Sequence, residues 1–244
     1  MRLLLTRPMA DAVPLAEKLA AQGHDVVLSP AIHIELNATP LPEPDDVQGL
    51  VFTSANGVSA MAARFADKRD YQLWADKPAY AVGSQTSAAL AKLHWPQVHQ
   101  AAGDVESLAA QIQKTFSGPR LLHIAGRHQA GDLAALLSDT PLILDKAVLY
   151  EAVPAEALTP VAAFALTDAQ TPLDGVLVYS KRSAQIFVSL YRAHLEAENL
   201  AQVPKPMAYC LSAAIGESMR RAGFAVRIAA TPDNEAMLQL TAEA

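Results

Sequence analysis

The sequence predicts an α/β fold built twice: two parallel sheets, each covered by helices on both faces and related by an internal duplication. Three observations carry this. Short, continuously apolar runs alternate with helical patterns along the whole chain, as expected of strands buried on both faces and joined by crossover helices. Successive elements of one half recur in order in the other. Hydrophobic residues make up 51% of the 244, against 18% charged, which is ample for sizeable cores and unlike a disordered chain.

Taken in order, residues 3–5 form the first strand and 11–22 a helix with Leu15, Leu19 and alanines on one face. Asp11 stands where an N-cap is expected, and Pro14 is tolerable in a first turn. Residues 26–28 are the second strand, and 32–36 are a further extended run. Residues 50–52 lead into a helix over 54–65, and 79–82 into one over 84–93. Val98 opens a weak strand before a helix over 104–116. Residues 121–124 precede a short helix at 132–137, and 142–150 are a long extended run. The last strands, 176–179, 208–211 and 226–228, are each followed by a helical stretch.

The repeat appears when residues 3–19 are laid on 121–137: strand, turn, then a helix with Leu15, Ala16 and Leu19 matched by Leu133, Ala134 and Leu137. Gly49-Leu50-Val51-Phe52-Thr53-Ser54 matches Gly175-Val176-Leu177-Val178-Tyr179-Ser180, and Ala81-Val82-Gly83-Ser84 is matched to Tyr209-Cys210-Leu211-Ser212. Each half is thus a five-strand unit. The extended runs at 31–37 and 145–153 follow the second strand of each half and carry little turn chemistry. They are read as a two-stranded connection, the chain leaving the first lobe early and returning to complete it.

Composition excludes several classes. No apolar run reaches the roughly 18 residues of a membrane helix, and the short apolar stretch at the start reads as a strand, not a signal peptide. A lone cysteine, Cys210, gives no intrachain disulfide and fits a reducing cytosol. A formal net charge of −6 argues against nonspecific nucleic-acid binding. There is no GxxxxGK[ST] or GxGxxG loop and no GxSxG elbow. His123 and His128 lie near each other in sequence without a ligand cluster, so no metal is expected. His123 reads as a structural strand residue, Cys210 as a buried inert thiol, and Trp74 and Trp95 as packing residues.

What remains is an unusual density of hydroxyls at strand ends: Thr53-Ser54-Ala55-Asn56-Gly57, Gly83-Ser84-Gln85-Thr86, Ser180-Lys181-Arg182-Ser183 and Leu211-Ser212. Any one of these serines is adequately explained as an N-cap. Four at the carboxyl ends of parallel strands point to helix starts that accept an anion through backbone N–H groups and the helix dipole. Arg7, Arg127, Lys181 and Arg182 lie at the same ends and form a local positive patch, or are simply solvated surface. Tyr150, at the end of the long extended run, is either connector packing or a hydrogen-bond donor facing a cleft. The expected ligand is a carboxylate-bearing or otherwise anionic molecule, not a mononucleotide.

These motifs resemble those of the uroporphyrinogen-III synthase family over nearly the whole chain. They are Leu4-Leu5-Thr6-Arg7-Pro8, Val51-Phe52-Thr53-Ser54-Ala55-Asn56-Gly57-Val58, Ala81-Val82-Gly83-Ser84-Gln85-Thr86 and Val148-Leu149-Tyr150. The resemblance implies two flavodoxin-like lobes, residues 1–35 with 155–244 and residues 38–150, joined by connector strands near 31–37 and 145–154. It implies cyclisation of hydroxymethylbilane, a linear tetrapyrrole with eight carboxylates, to uroporphyrinogen III with inversion of the last ring and loss of water. It implies Tyr150 as proton donor, with Thr6, Arg7, Ser54, Asn56, Gly83, Ser84, Thr86, Gly126, Arg127, Ser180, Lys181, Ser183 and Ser212 contacting substrate. No cofactor or metal is expected, and neither nucleic acid nor membrane is a partner. The expected protein is a cytoplasmic monomer in transient contact with the preceding pathway enzyme. Two departures stand out. The counterpart of Gly83-Ser84-Gln85-Thr86 reads as Leu211-Ser212-Ala213-Ala214, and Gly131-Asp132 follows where many members have an arginine. A noncatalytic two-lobed binding module remains the alternative.

Overall fold

The computed structural model describes residues 1–129, 131–200 and 203–242. In chain order the elements are β1 (Arg2–Leu5), α1 (Met9–Ala21), β2 (Asp25–Leu28), β3 (Ile32–Leu36), a 3-10 turn (Pro44–Asp46), β4 (Gly49–Phe52), α2 (Ala55–Ala62), α3 (Lys68–Ala75), β5 (Ala79–Ala81), α4 (Ser84–Lys92), β6 (Val98–Gln100), α5 (Val105–Thr115), β7 (Arg120–Gly126), α6 (Leu133–Leu136), β8 (Ile143–Pro154), α7 (Pro160–Thr167), β9 (Gly175–Val178), α8 (Lys181–Ala197), β10 (Met207–Cys210), α9 (Ala213–Arg221), β11 (Val226–Ile228) and α10 (Asn234–Ala242). The chain divides into two compact units, Met1–His33 with Val153–Ala244, and Ile34–Ala152.

The first unit holds a five-stranded parallel sheet in the order β2-β1-β9-β10-β11. β9 is buried at every residue, as a central strand covered on both faces must be. The pleat sends Leu3 and Leu5 to one face, where they pack with Leu15 and Leu19 of α1 and Met237 of α10. Leu4, Val176 and Val178 face the other way, against Ala162 of α7, Phe187 of α8 and Met219 of α9.

The second unit holds a six-stranded sheet, β3-β8-β7-β4-β5-β6, with parallel pairing from β8 through β6. Leu50 and Phe52 pack with Met61, Trp74, Leu90 and Trp95 on one face, and Val51 and Leu121 with Leu108, Ile112 and Leu133 on the other. Counting β7 as first strand, the order β8-β7-β4-β5-β6 repeats that of the first unit, and it is the flavodoxin order. The registers repeat as well: Leu3 opposite Gly175 in one sheet is matched by Leu121 opposite Gly49 in the other.

The structure corrects several details. α1 starts at Met9 with Pro8 as N-cap, so Pro14 lies inside it; Asp11 sits in the first turn, where its carboxylate pairs with Arg7 at 3.1 Å. The single helix read over 54–65 ends at Ala62, and a separate α3 follows, capped by Asp67, whose carboxylate accepts the Arg69 and Asp70 N–H groups at 2.7 and 3.1 Å. α3 and α7 were not read from the sequence. The repeat register around α9 shifts by one: Val82 N–H donates to Phe52 and Leu211 N–H to Val178, which makes Gly83 the counterpart of Ser212. Both are the N-caps of their helices.

Helices α1 and α9 end in left-handed glycines, Gly23 (φ 86°) and Gly223 (φ 82°), with the hydrogen-bond pair of a Schellman turn. α4 ends in the same way on His94, at φ 57°, where a side chain is strained. Among the described residues no helix is long and apolar enough to cross a membrane.

Candidate functional site

The carboxyl edge of the second unit's sheet gathers β4, β5, β7 and β8 with the starts of α2 and α4. The ladder between β7 and β8 is irregular at Ala125/Gly126: Ala125 pairs with Val148, but Gly126 with Tyr150. The extra residue re-aims Tyr150. Its ring lies directly on Gly126, where an added Cβ would meet ring Cζ at 2.6 Å. Gly57, in the first turn of α2, gives similar closeness, since a Cβ there would stand 3.1 Å from the Ile124 carbonyl and 3.7 Å from the Tyr150 ring. Tyr150 is only 8% exposed, and its Oη is 2.7 Å from Ser54 Oγ. Ser54 is also the N-cap of α2, accepting the Gly57 N–H at 3.3 Å. One serine thus ties the start of α2 to Tyr150.

Thr53 points to the opposite side of the sheet, with its hydroxyl 3.0 Å from His123 Nε2. His123 is buried, and burial pushes its imidazole down to about 4, with Lys146 adding to the effect. It is therefore neutral at pH 7. Arg127 donates its backbone N–H to the Tyr150 carbonyl at 3.0 Å, and its guanidinium pairs with Glu151. Glu151 also lies 3.9 Å from His128. Any incoming carboxylate meets Arg127 with a carboxylate already attached.

α4 begins differently. Gly83 caps it without a side-chain hydrogen bond, Ser84 is exposed, Thr86 is buried, and Gly83 packs so closely on Gly103 that a Cβ would meet its Cα at 3.1 Å. The first N–H groups of α4 therefore lack a side-chain cap, a setting suited to an anion. Asn56 is half-buried in the first turn of α2.

The carboxyl edge of the first unit is more self-contained. Thr6 is fully buried and donates its hydroxyl to the Leu177 carbonyl at 2.8 Å, so that side chain is spent inside. Arg7 is enclosed: it reaches Asp11 at 3.1 Å and Asn234 Oδ1 at 2.8 Å, and stands 4.4 Å over the Tyr179 ring. Burial pushes the Tyr179 phenol up to about 12 against the opposing pull of Arg7. Ser180 caps α8, accepting the Ser183 N–H at 3.0 Å and donating to Ser183 Oγ at 2.8 Å, and Ser183 is buried. Ser212 occupies the N-cap of α9 with no side-chain cap, like Gly83. Lys181 is exposed at the start of α8.

The structure therefore brings Ser54, Gly126, Arg127 and Tyr150 together and turns Thr6 and Ser183 inward. Sequence reasoning missed Tyr179, Asn234 and Glu151. Tyr179 was recoverable, since it stands before Ser180 as Thr53 stands before Ser54. Among the described residues no cluster of three or more His, Cys, Asp or Glu is placed to hold a metal. A cavity of about 430 Å³ lies elsewhere, before β7 and β8, lined by Ile112, Phe116, Pro119, Leu137 and Leu142 and containing none of these residues.

A family model described as uroporphyrinogen-III synthase HemD matches residues 13–239. Among solved structures, the uroporphyrinogen-III synthetase of Helicobacter pylori 26695 resembles the chain with a TM-score of 0.67 at 18% identity, covering 100% of this chain and 99% of that one. A mutant uroporphyrinogen III synthase of the extremely thermophilic bacterium Thermus thermophilus resembles it with a TM-score of 0.47 at 18% identity, covering 98% and 96%. No curated protein matches the sequence.

Proposed function

The chain belongs to the uroporphyrinogen-III synthase family, an enzyme family of haem biosynthesis acting on a tetrapyrrole, and from that premise we propose how its residues perform the reaction. The observation that carries the proposal is Tyr150: a phenol clamped by two glycines, its hydroxyl 2.7 Å from Ser54 at the start of α2.

The reaction is a redox-neutral loss of water, and the enzyme is a lyase. Hydroxymethylbilane expels its terminal hydroxyl with push from the pyrrole nitrogen, giving an azafulvene that the substituted carbon of the last ring attacks, through a spiro intermediate. Unassisted, the chain closes to the uninverted type I isomer. The protein therefore gains most by holding the ends so that attack falls on the crowded carbon. Tyr150 donates a proton to the departing hydroxyl, which leaves as water. Backbone N–H groups at the starts of α2 and α4, with Asn56, Ser84 and Arg127, take substrate carboxylates. Gly83 and Gly126 serve by letting backbone and ring come close. In the first unit the same work falls to Arg7, Lys181, Ser212 and the backbone at the starts of α8 and α9; Thr6, Ser180 and Ser183 support them from within. We place the protein in the cytoplasm as a monomer in passing contact with the enzyme that supplies the bilane; its single buried thiol suits a reducing compartment.

The test is incubation of the purified protein with freshly made hydroxymethylbilane, without added metal or cofactor, and separation of the oxidised products by isomer. Predominant type III uroporphyrin is expected. Type I alone, at the uncatalysed rate, sinks the proposal and promotes a noncatalytic binding module.

A further inference from the structure

Ser54 Oγ has two neighbours that constrain it at once. It accepts the Gly57 N–H at 3.3 Å, which commits one lone pair to the start of α2, and it stands 2.7 Å from Tyr150 Oη. The tyrosine ring is held on Gly126 and beside Gly57 at distances that leave no space for a methyl group on Gly126. A phenol with one proton cannot donate it both to Ser54 and to a leaving group.

We propose that Ser54 is a positioning residue for Tyr150 and not a substrate contact: its hydroxyl donates to Tyr150 Oη, so that the phenol's own proton is directed to the departing hydroxyl. This rests on the reading of Tyr150 as the proton donor. In the step, the C–O bond of the hydroxymethyl group breaks with its electron pair on oxygen, and that oxygen takes the Tyr150 proton and leaves as water. The pyrrole nitrogen lone pair becomes the new C=N π bond as the ring π bonds shift and an exocyclic C=C forms at the carbon that lost oxygen. The phenolate left behind accepts the Ser54 O–H, a charge-assisted hydrogen bond that is stronger than the one before the step. Tyr150 recovers its proton from the pyrrole at the end of ring closure, so the net change is loss of one water. Ser54 holds its own proton throughout.

The hydrogen bond strengthens only as the phenolate forms, so its loss is felt in turnover and not in binding. The experiment compares Ser54→Gly, Ser54→Thr, Tyr150→Phe and the double variant Ser54→Gly/Tyr150→Phe. Each is measured for kcat and KM of type III formation above the uncatalysed background, with thermal melting to check folding. Glycine is chosen because it replaces serine at an N-cap at little cost to the helix. Ser54→Gly is expected to lower kcat roughly tenfold to hundredfold with KM unchanged, and Ser54→Thr to keep it. In the Tyr150→Phe background, Ser54→Gly should change nothing further. An equal loss in both backgrounds, or a raised KM with kcat intact, overturns the positioning role. If Tyr150→Phe is slow but Ser54→Gly is as fast as the native enzyme, the positioning role alone fails. If Tyr150→Phe is itself as fast as the native enzyme, the proton-donor reading fails and takes this inference with it.

Discussion

Replacing Gly126 with alanine attacks the candidate donor without touching a polar atom. The new Cβ would meet the Tyr150 ring at 2.6 Å from Cζ, 2.7 Å from Cε2 and 2.9 Å from Oη. Ordinary contact begins near 3.4 Å, so the ring must retreat by about 0.8 Å. The main chain cannot carry it away, because the Tyr150 carbonyl accepts the Arg127 N–H at 3.0 Å and Tyr150 pairs with Gly126 in the ladder. The hydroxyl is therefore displaced from its place beside Ser54, and the 2.7 Å hydrogen bond is distorted. Gly126 is not at positive φ, so the backbone itself accepts alanine. Overpacking of this kind costs about 1–3 kcal/mol of stability, and displacing a reacting group by nearly 1 Å costs on the order of a hundredfold in rate. The assay is kcat for type III uroporphyrinogen beside a melting curve, with Gly126→Ala/Tyr150→Phe as a control expected to be no slower than Tyr150→Phe. A folded Gly126→Ala enzyme with native turnover would refute the placement of Tyr150 at the chemistry.

Two other expectations concern stability. His123 is held down to about 4 in the folded chain against 6.5 unfolded. Between those values the unfolded state binds a proton that the folded state does not, so the stabilisation is complete at pH 7 and is lost as pH falls from about 6.5 to about 4. The unfolding free energy of the native chain, read from denaturant titrations, should fall by up to about 3 kcal/mol over that window, while that of His123→Gln should fall correspondingly less; parallel pH curves for the two would contradict this. His94 is exposed and left-handed at φ 57°, so His94→Gly should relieve strain at the end of α4 and raise stability by about 0.5–1 kcal/mol, read from chemical denaturation. A lowered midpoint would count against that account.

Much of this was legible along the chain. The apolar runs became strands because a parallel strand buried on both faces needs no polar alternation, as the wholly buried β4 and β9 illustrate. Ser54 and Ser180 were recognisable as helix starts because a capping hydroxyl acts within three residues. The same locality explains the failures. Asp67 caps α3 by the same chemistry but lies beyond the helix read over 54–65, in a stretch to which no element was assigned. The register around Ser212 slipped by one because only the strand hydrogen bonds, Val82 to Phe52 and Leu211 to Val178, distinguish two equally plausible alignments.

The sequence alone determined the class of fold, its duplication, the starts of helices such as α2 and α8, and the family motifs, since these depend on periodicity and on hydrogen bonds between near neighbours. The tertiary structure decided what the motif residues do. Thr6 and Arg7 are adjacent in one motif, yet Thr6 turns its hydroxyl inward to Leu177 while Arg7 is enclosed by Asp11, Asn234 and Tyr179. Tyr150 reaches Ser54 across 96 positions because one irregularity in the β7–β8 ladder sets it on Gly126. Such contacts depend on the register between distant strands, and register is a property of the packed sheets that no local pattern encodes.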